Sequence, residues 1–237
     1  MNTIYHKNES RGLAEHGWLT SRHTFSFASY YNPQRMNFGL LRVLNDDVVK
    51  PSMGFGTHPH ENMEIISIPL SGSLRHRDSM GNLHIISTGE VQIMSAGSGL
   101  THSEYNNSAA EDVNFLQIWV LPKEKDITPR YDQKVFKANE RKNKFQLLVS
   151  PIDSEETIWI NQDAWLSMAD IDAGQRLVYV KKGKSHGVYF FVLEGGAVID
   201  GNVVHRRDGL GLEGSENHVV KADTYTILLA IEVPRYL

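Results

Sequence analysis

Residues 54–72 read GFGTHPHENMEIISIPLSG, and residues 89–106 read GEVQIMSAGSGLTHSEYN. Each stretch holds an apolar run bounded by glycine, the pattern of short strands joined by tight turns. Each also carries two potential metal ligands one residue apart: His58 and His60, then His102 and Glu104. In a β-strand, residues i and i+2 share a face and lie about 7 Å apart. Each pair therefore aims two donors at one point, and two such strands side by side surround one cation with four. Three imidazoles and a carboxylate suit a first-row metal such as Fe, Ni, Co, Cu, Mn or Zn. Structural zinc sites usually include thiolates, and the chain has no cysteine. The donor set thus reads as a working metal rather than a staple. Gly54 and Gly56 allow a tight turn before the first pair. Pro59 removes a ladder donor and favours an edge strand at a sheet mouth.

Strand-like runs continue on both sides. Upstream, HTFSFASYYNP (23–33) predicts a short strand with Phe25 and Phe27 on one face. LLRVLNDDVV (40–49) predicts a strand, a polar turn at Asn45-Asp46-Asp47 and a return. Downstream, SLRHRDSMGNLHII (73–86) predicts a hairpin turning at Asp78–Asn82, with His76 and His84 on solvated faces. NFLQIWVLP (114–122) is a strand stopped by proline, and residues 121–144 are charged and read as a linker.

Beyond the linker the pattern restarts. GVYFFVLEGGAVIDGNVV (187–204) repeats the layout of residues 63–83, DGLGLEG (208–214) that of TGEVQIMSAG (88–97), and YTILLAIEVP (225–234) that of NFLQIWVLP. Three matches in the same order indicate an internal duplication. Two similar all-β units are expected, residues 1–130 and 131–237. Aligning Leu70-Ser71-Gly72 with Leu193-Glu194-Gly195 sets Lys181 and Gly183 where His58 and His60 stand. The second unit has His186, His205 and His218, none in an alternating pair. Only the first unit is expected to hold metal.

The chain has 237 residues, 41% of them hydrophobic, enough for one large or two small cores. A net charge of −4 gives no electrostatic footprint for nucleic acid. No apolar run approaches the roughly 20 residues of a membrane span, and the polar N-terminus MNTIYHKNESRG lacks the apolar core of a signal peptide. A cytoplasmic location, no membrane association and a monomeric state are expected.

Short strands punctuated by glycine and proline argue for a β-barrel or jelly roll. HPHENME resembles the first cupin motif, and GEVQIMSAGSGLTHSEYN resembles the second, with His102 and Asn106 in its His-x3-Asn element. Ser95 in place of the usual proline, the added residues before His102 and the His102-x-Glu104 pair resemble the pirin branch. So do HGWL, HTFSFASYYNP and LRVLNDD. The resemblance is strong through Trp18–Tyr131 and thins to architecture in the last third. It implies an all-β bicupin, two tandem jelly-roll barrels, with one divalent transition metal in the N-terminal barrel. Iron comes first, with Ni, Co, Cu, Mn or Zn as alternatives. The family's ligands fall on His58, His60, His102 and Glu104. Glu64 matches a ligand of other cupins, but in this branch Glu104 takes that role and Glu64 becomes a hydrogen-bond partner. The implied activity is 2,3-dioxygenation of a flavonol such as quercetin, with O2 consumed, CO released and Glu104 as catalytic base. A small aromatic molecule and O2 are the expected partners. Other readings are a metal-dependent regulatory module with a protein partner, and a different metal-assisted reaction on the same barrel.

Overall fold

The computed structural model describes residues 2–236. Its strands form two seven-stranded and two four-stranded antiparallel-dominated sheets. The N-terminal barrel pairs a seven-stranded sheet with the four strands Gly54–His60, Leu100–Asn106, Ser73–Asp78 and Leu83–Ser87, in that spatial order. The C-terminal barrel repeats this with Arg176–Val180, Asn217–Ala222, Gly196–Ile199 and Asn202–His205. The fold is therefore two tandem cupin barrels. Among the described residues no helix is long and apolar enough to cross a membrane.

The two large sheets pack face to face. Between them lies an extensive apolar cluster joining Leu44, Ile66, Ile68, Leu116 and Ile118 to Leu166, Tyr189, Phe191, Leu229 and Ile231. Burying each such side chain contributes roughly 1.5–3 kcal/mol, so the barrels hold one another. The chain also crosses over at its edges. Thr3–His6 pairs with Gly209–Glu213 of the C-terminal sheet. Arg130–Val135, inside the expected linker, is a strand on Glu90–Ser95 of the N-terminal sheet. The division expected at residue 130 thus falls at the start of a strand that belongs with the first barrel's sheet. Charge hid it, because an edge strand needs only one apolar face.

Three local expectations are corrected. Leu41–Val49 is one continuous strand, with no turn at Asn45–Asp47. Its polar side chains find partners inside the barrel: Asn45 meets His23 Nδ1 at 2.9 Å, and Asp47 accepts from Ser21 Oγ. The strand upstream is Leu19–His23, and Phe25 and Phe27 do not share a face. Phe25 packs on Tyr189 between the barrels, while Phe27 meets Trp119 edge-on at 5.2 Å. Gly54 makes no turn. It opens the strand Gly54–His60, where a Cβ would collide with the Glu104 carbonyl, so glycine lets the two ligand strands approach.

Candidate metal centre

Alternation along the N-terminal strands sorts their inward residues into three layers. Leu19, Val49, Leu74, Ile86, Val113 and Phe115 close one end of the barrel, and Ile65, Met94, Ala96 and Leu100 pack toward the other. Between them lies a polar layer: Ser67, His76, His102, Glu104 and Gln117. The strand Val113–Val120 shows the order directly, with Phe115 in the first cluster, then Gln117, then Trp119 against the second.

His58 and His60 lie on Gly54–His60, an edge strand as Pro59 requires. His102 is directly opposite His58 across the ladder, and Glu104 follows it after a register shift. The three imidazoles converge: ring centroids are 4.5 Å apart for His58–His102, 4.8 Å for His58–His60 and 4.9 Å for His60–His102. One nitrogen from each lies within 4.8 Å of the others. His58 Nδ1 donates to the Gly56 carbonyl at 2.7 Å, leaving Nε2 with a free lone pair. His102 is 2% exposed, and neither ring nitrogen has a hydrogen-bond partner. Burial first, then the neighbouring His102 and His58, lower the His60 pKa to about 4. Burial, then His58 and His76, lower that of His102 to about 3. Both rings are therefore neutral at pH 7, the form that binds metal.

Glu104 is fully enclosed. Its Oε1 accepts from Ser67 Oγ at 3.0 Å and its Oε2 from Gln117 Nε2 at 3.3 Å. Burial raises its pKa. It forms a second donor group with His102 and His76, again with ligand atoms within 4.8 Å. The four predicted donors, joined by His76, thus fall into two triads sharing His102. The solvated position expected for His76 is corrected: the residue is 0% exposed, inside the barrel. Alternation from Leu74, an inward core residue, was the signal for it. His84, on the next strand, is exposed and stacks on Tyr131 at 5.0 Å.

Glu64 joins neither triad. Its parity on Glu64–Ser71 is opposite to that of Ser67, so it points out of the barrel interior. There it accepts from Ser95 Oγ at 2.8 Å and from the Asn161 backbone N–H at 3.2 Å, tying the barrels together.

A buried imidazole with two unpartnered nitrogens is costly unless something binds it. A borderline cation would satisfy His102, and the surrounding nitrogen and oxygen donors suit one. The residues therefore fit a divalent metal. The same barrel has a cavity of about 290 Å³, lined by none of these donors, with Trp18, Phe27 and Phe55 as aromatic walls and Ser21, His23 and Asp47 as polar ones. Phe27 leans on Trp119, and Trp119 meets His60 edge-on at 5.0 Å, so one intervening ring links the cavity wall to the histidine cluster.

Aligning the two barrels by ladder register corrects the second-half equivalences. Leu74 pairs with Asn106, and Ala197, at the same distance past its Leu-x-Gly, pairs with Ala222. His218 then stands where His102 does and faces Tyr179 as His102 faces His58. Tyr179 and Lys181, rather than Lys181 and Gly183, take the places of His58 and His60. The loop between the first ligand strand and the core strand differs in length by two residues, which an alignment anchored on Leu-x-Gly does not reveal.

A family model described as Pirin matches residues 6–120, and one described as the quercetinase C-terminal cupin domain matches residues 147–233. A quercetin 2,3-dioxygenase of Escherichia coli (strain K12) is 41% identical over 232 residues, 96% of this chain and 97% of that protein. A pirin-like protein of Caulobacter vibrioides is 41% identical over 203 residues, 85% of this chain and 87% of that one. The crystal structure of the bacterial pirin YhhW from Escherichia coli in complex with nickel(II) superposes with a TM-score of 0.93 at 39% identity, covering 98% of this chain and 99% of that one.

Proposed function

The chain belongs to the pirin family, and from that premise we propose that it is a metal-dependent dioxygenase opening a flavonol such as quercetin with O2. The observation that carries this reading is the convergence of His58, His60 and His102 in a barrel whose aromatic-walled cavity is linked to His60 through Phe27 and Trp119. His58, His60, His102 and Glu104 are the proposed ligands of one divalent metal. The nickel(II) complex of the structural relative supports a divalent ion, and iron is the first candidate for the ion used here.

When bound, the metal supplies Lewis acidity that stabilises a deprotonated flavonol. The protein does the rest. Glu104 accepts the 3-hydroxyl proton, and Ser67 and Gln117 orient its carboxylate. Trp18, Phe27 and Phe55 offer flat apolar faces to the fused rings, and Ser21, His23 and Asp47 offer hydrogen bonds to ring hydroxyls. The enclosing barrel limits water at the reacting carbon.

The test is oxygen uptake with quercetin on protein stripped and reloaded with Fe(II), Ni(II), Co(II), Cu(II), Mn(II) or Zn(II), with CO followed in the same vessel. The expected result is metal-dependent uptake with CO release, abolished in His102→Ala. Absence of turnover with every metal overturns the reading.

A further inference from the structure

His76 has the properties of a metal ligand without standing in the predicted set. Its Nε2–H donates to Asp78 Oδ2 at 3.2 Å. Asp78 is itself fixed by Asn82 Nδ2 at 2.8 Å and by the backbone N–H groups of Met80 and Asn82, each at 3.0 Å. With Nε2 protonated, the lone pair is on Nδ1. That nitrogen is buried and has no hydrogen-bond partner. A carboxylate fixing one imidazole nitrogen so that the other faces a metal is the usual arrangement around ligating histidines. Were His76 merely a core histidine, its Nδ1 would be desolvated with nothing in exchange.

Its surroundings point the same way. His76, His102 and Glu104 each present a donor within 4.8 Å of the others. Glu104 meanwhile has a seat in the hydrogen bonds from Ser67 and Gln117. In the C-terminal barrel, where the histidine pair is absent, this layer is gone as a unit. Ladder register puts Ile199 at the place of His76 and Val220 at that of Glu104, and these two face each other as His76 and Glu104 do. Phe190 and Ala230 replace Ser67 and Gln117 in the same way.

We infer that His76 is a fifth protein donor at this centre: its Nδ1 would hold the metal beside His102 while the Glu104 carboxylate rests on Ser67 and Gln117, as it does in this structure. One metal–oxygen contact is exchanged for one metal–nitrogen contact, with no change in electron count. This would leave Glu104 free to hold the substrate proton while the ion stays in the protein. The inference rests on the proposed metal site, so the experiment separates the two.

Stripped protein is titrated with Cu(II) against a chromophoric chelator, and each complex is examined by electron paramagnetic resonance. Glu104→Ala is expected to stay within about tenfold of wild-type affinity, with a signal shifted toward more nitrogen donors. Glu104→Ala/His76→Ala is expected to bind about 10–100-fold more weakly than Glu104→Ala. Equal affinity and equal spectra in these two variants overturn the fifth-donor assignment while leaving the metal site intact. Failure of the wild type to bind Cu(II), or full binding by His102→Ala, overturns the site itself. Should Glu104→Ala not fold, Glu104→Gln with and without Asp78→Asn makes the same comparison: loss of nitrogen character with Asp78→Asn supports the inference, and no change counts against it.

Discussion

The two barrels have the same strand order and different insides. The C-terminal interior contains one continuous apolar cluster running through Phe190, Ile199, Val220 and Ala230. The N-terminal interior is split into two small clusters by the polar layer at the same four positions. The buried carboxylates show what the difference means. Glu232 accepts from Tyr179 Oη at 3.0 Å, from the backbone N–H groups of Lys182 and Gly183 at 2.8 and 2.7 Å, and from His186 Nδ1 at 3.1 Å. Although burial pushes upward, these donors together lower its pKa. Glu104 has two donors, and burial raises its pKa. The buried carboxylate of the second barrel has its lone pairs filled by protein donors. Glu104, at the proposed metal centre, keeps lone pairs open for an ion, as does the unpartnered His102.

The largest expected effect contrasts the two equivalent histidines. His102→Ala should weaken metal binding by at least about 100-fold, whereas His218→Ala should leave metal content unchanged, both read by elemental analysis of dialysed protein. Equal loss in both would erase the distinction between the barrels. His218 Nδ1 is engaged with Asp200 at 2.7 Å, and although its Nε2 has no partner, no donor group among the described residues includes it.

Next in size is Glu232→Ala. It strands several buried donors and should cost about 3–5 kcal/mol of stability without lowering metal content per folded molecule, measured by denaturant unfolding. Because the folded pKa of Glu232 lies below its ordinary value, its stabilising contribution is present above about pH 4.5 and fades as pH falls through the folded pKa.

Asp47 gives the opposite sign. Burial raises its pKa from 3.8 to about 7, so between those values the folded state holds a proton that the unfolded state has released. Its contribution therefore declines as pH rises through that window. Asp47→Asn should raise the melting temperature of the metal-free protein at pH 8 more than at pH 4. An equal shift at both would mean the carboxyl is not held in its neutral form. The equivalent C-terminal position, by register, is Ala169, where no such trade arises.

The smallest effect is Tyr179→Phe, at the place of His58 in the second barrel. Loss of its bond to Glu232 should cost about 1 kcal/mol by thermal melt, with no change in metal content.

Much of this was legible in the chain. Alternating His58/His60 and His102/Glu104 stand out because a strand's period of two is written directly into sequence. The duplication is legible because proline, glycine and apolar runs recur in order. The LNDDVV stretch was misread because three consecutive polar residues ordinarily mark a turn, and only the barrel interior supplies Ser21 and His23 as partners. His76 escapes notice because Leu74 is the one apolar residue of its strand, SLRHRD, and the inward face otherwise carries His76 and Asp78, residues ordinarily met at the surface.

By itself, then, the sequence determined the all-β class, the repeat and the paired donors His58/His60 and His102/Glu104, all of which depend on spacing within a strand or on order along the chain. Tertiary structure alone decided which face of each strand looks inward, and so set His76 beside Glu104 and turned Glu64 away. It also decided the register between strands, and so put Tyr179 in the place of His58. The physical reason is that burial and cross-strand register depend on neighbours distant in sequence. The His76 imidazole, which an open sheet would leave solvated, is buried among other donors once a barrel closes over it.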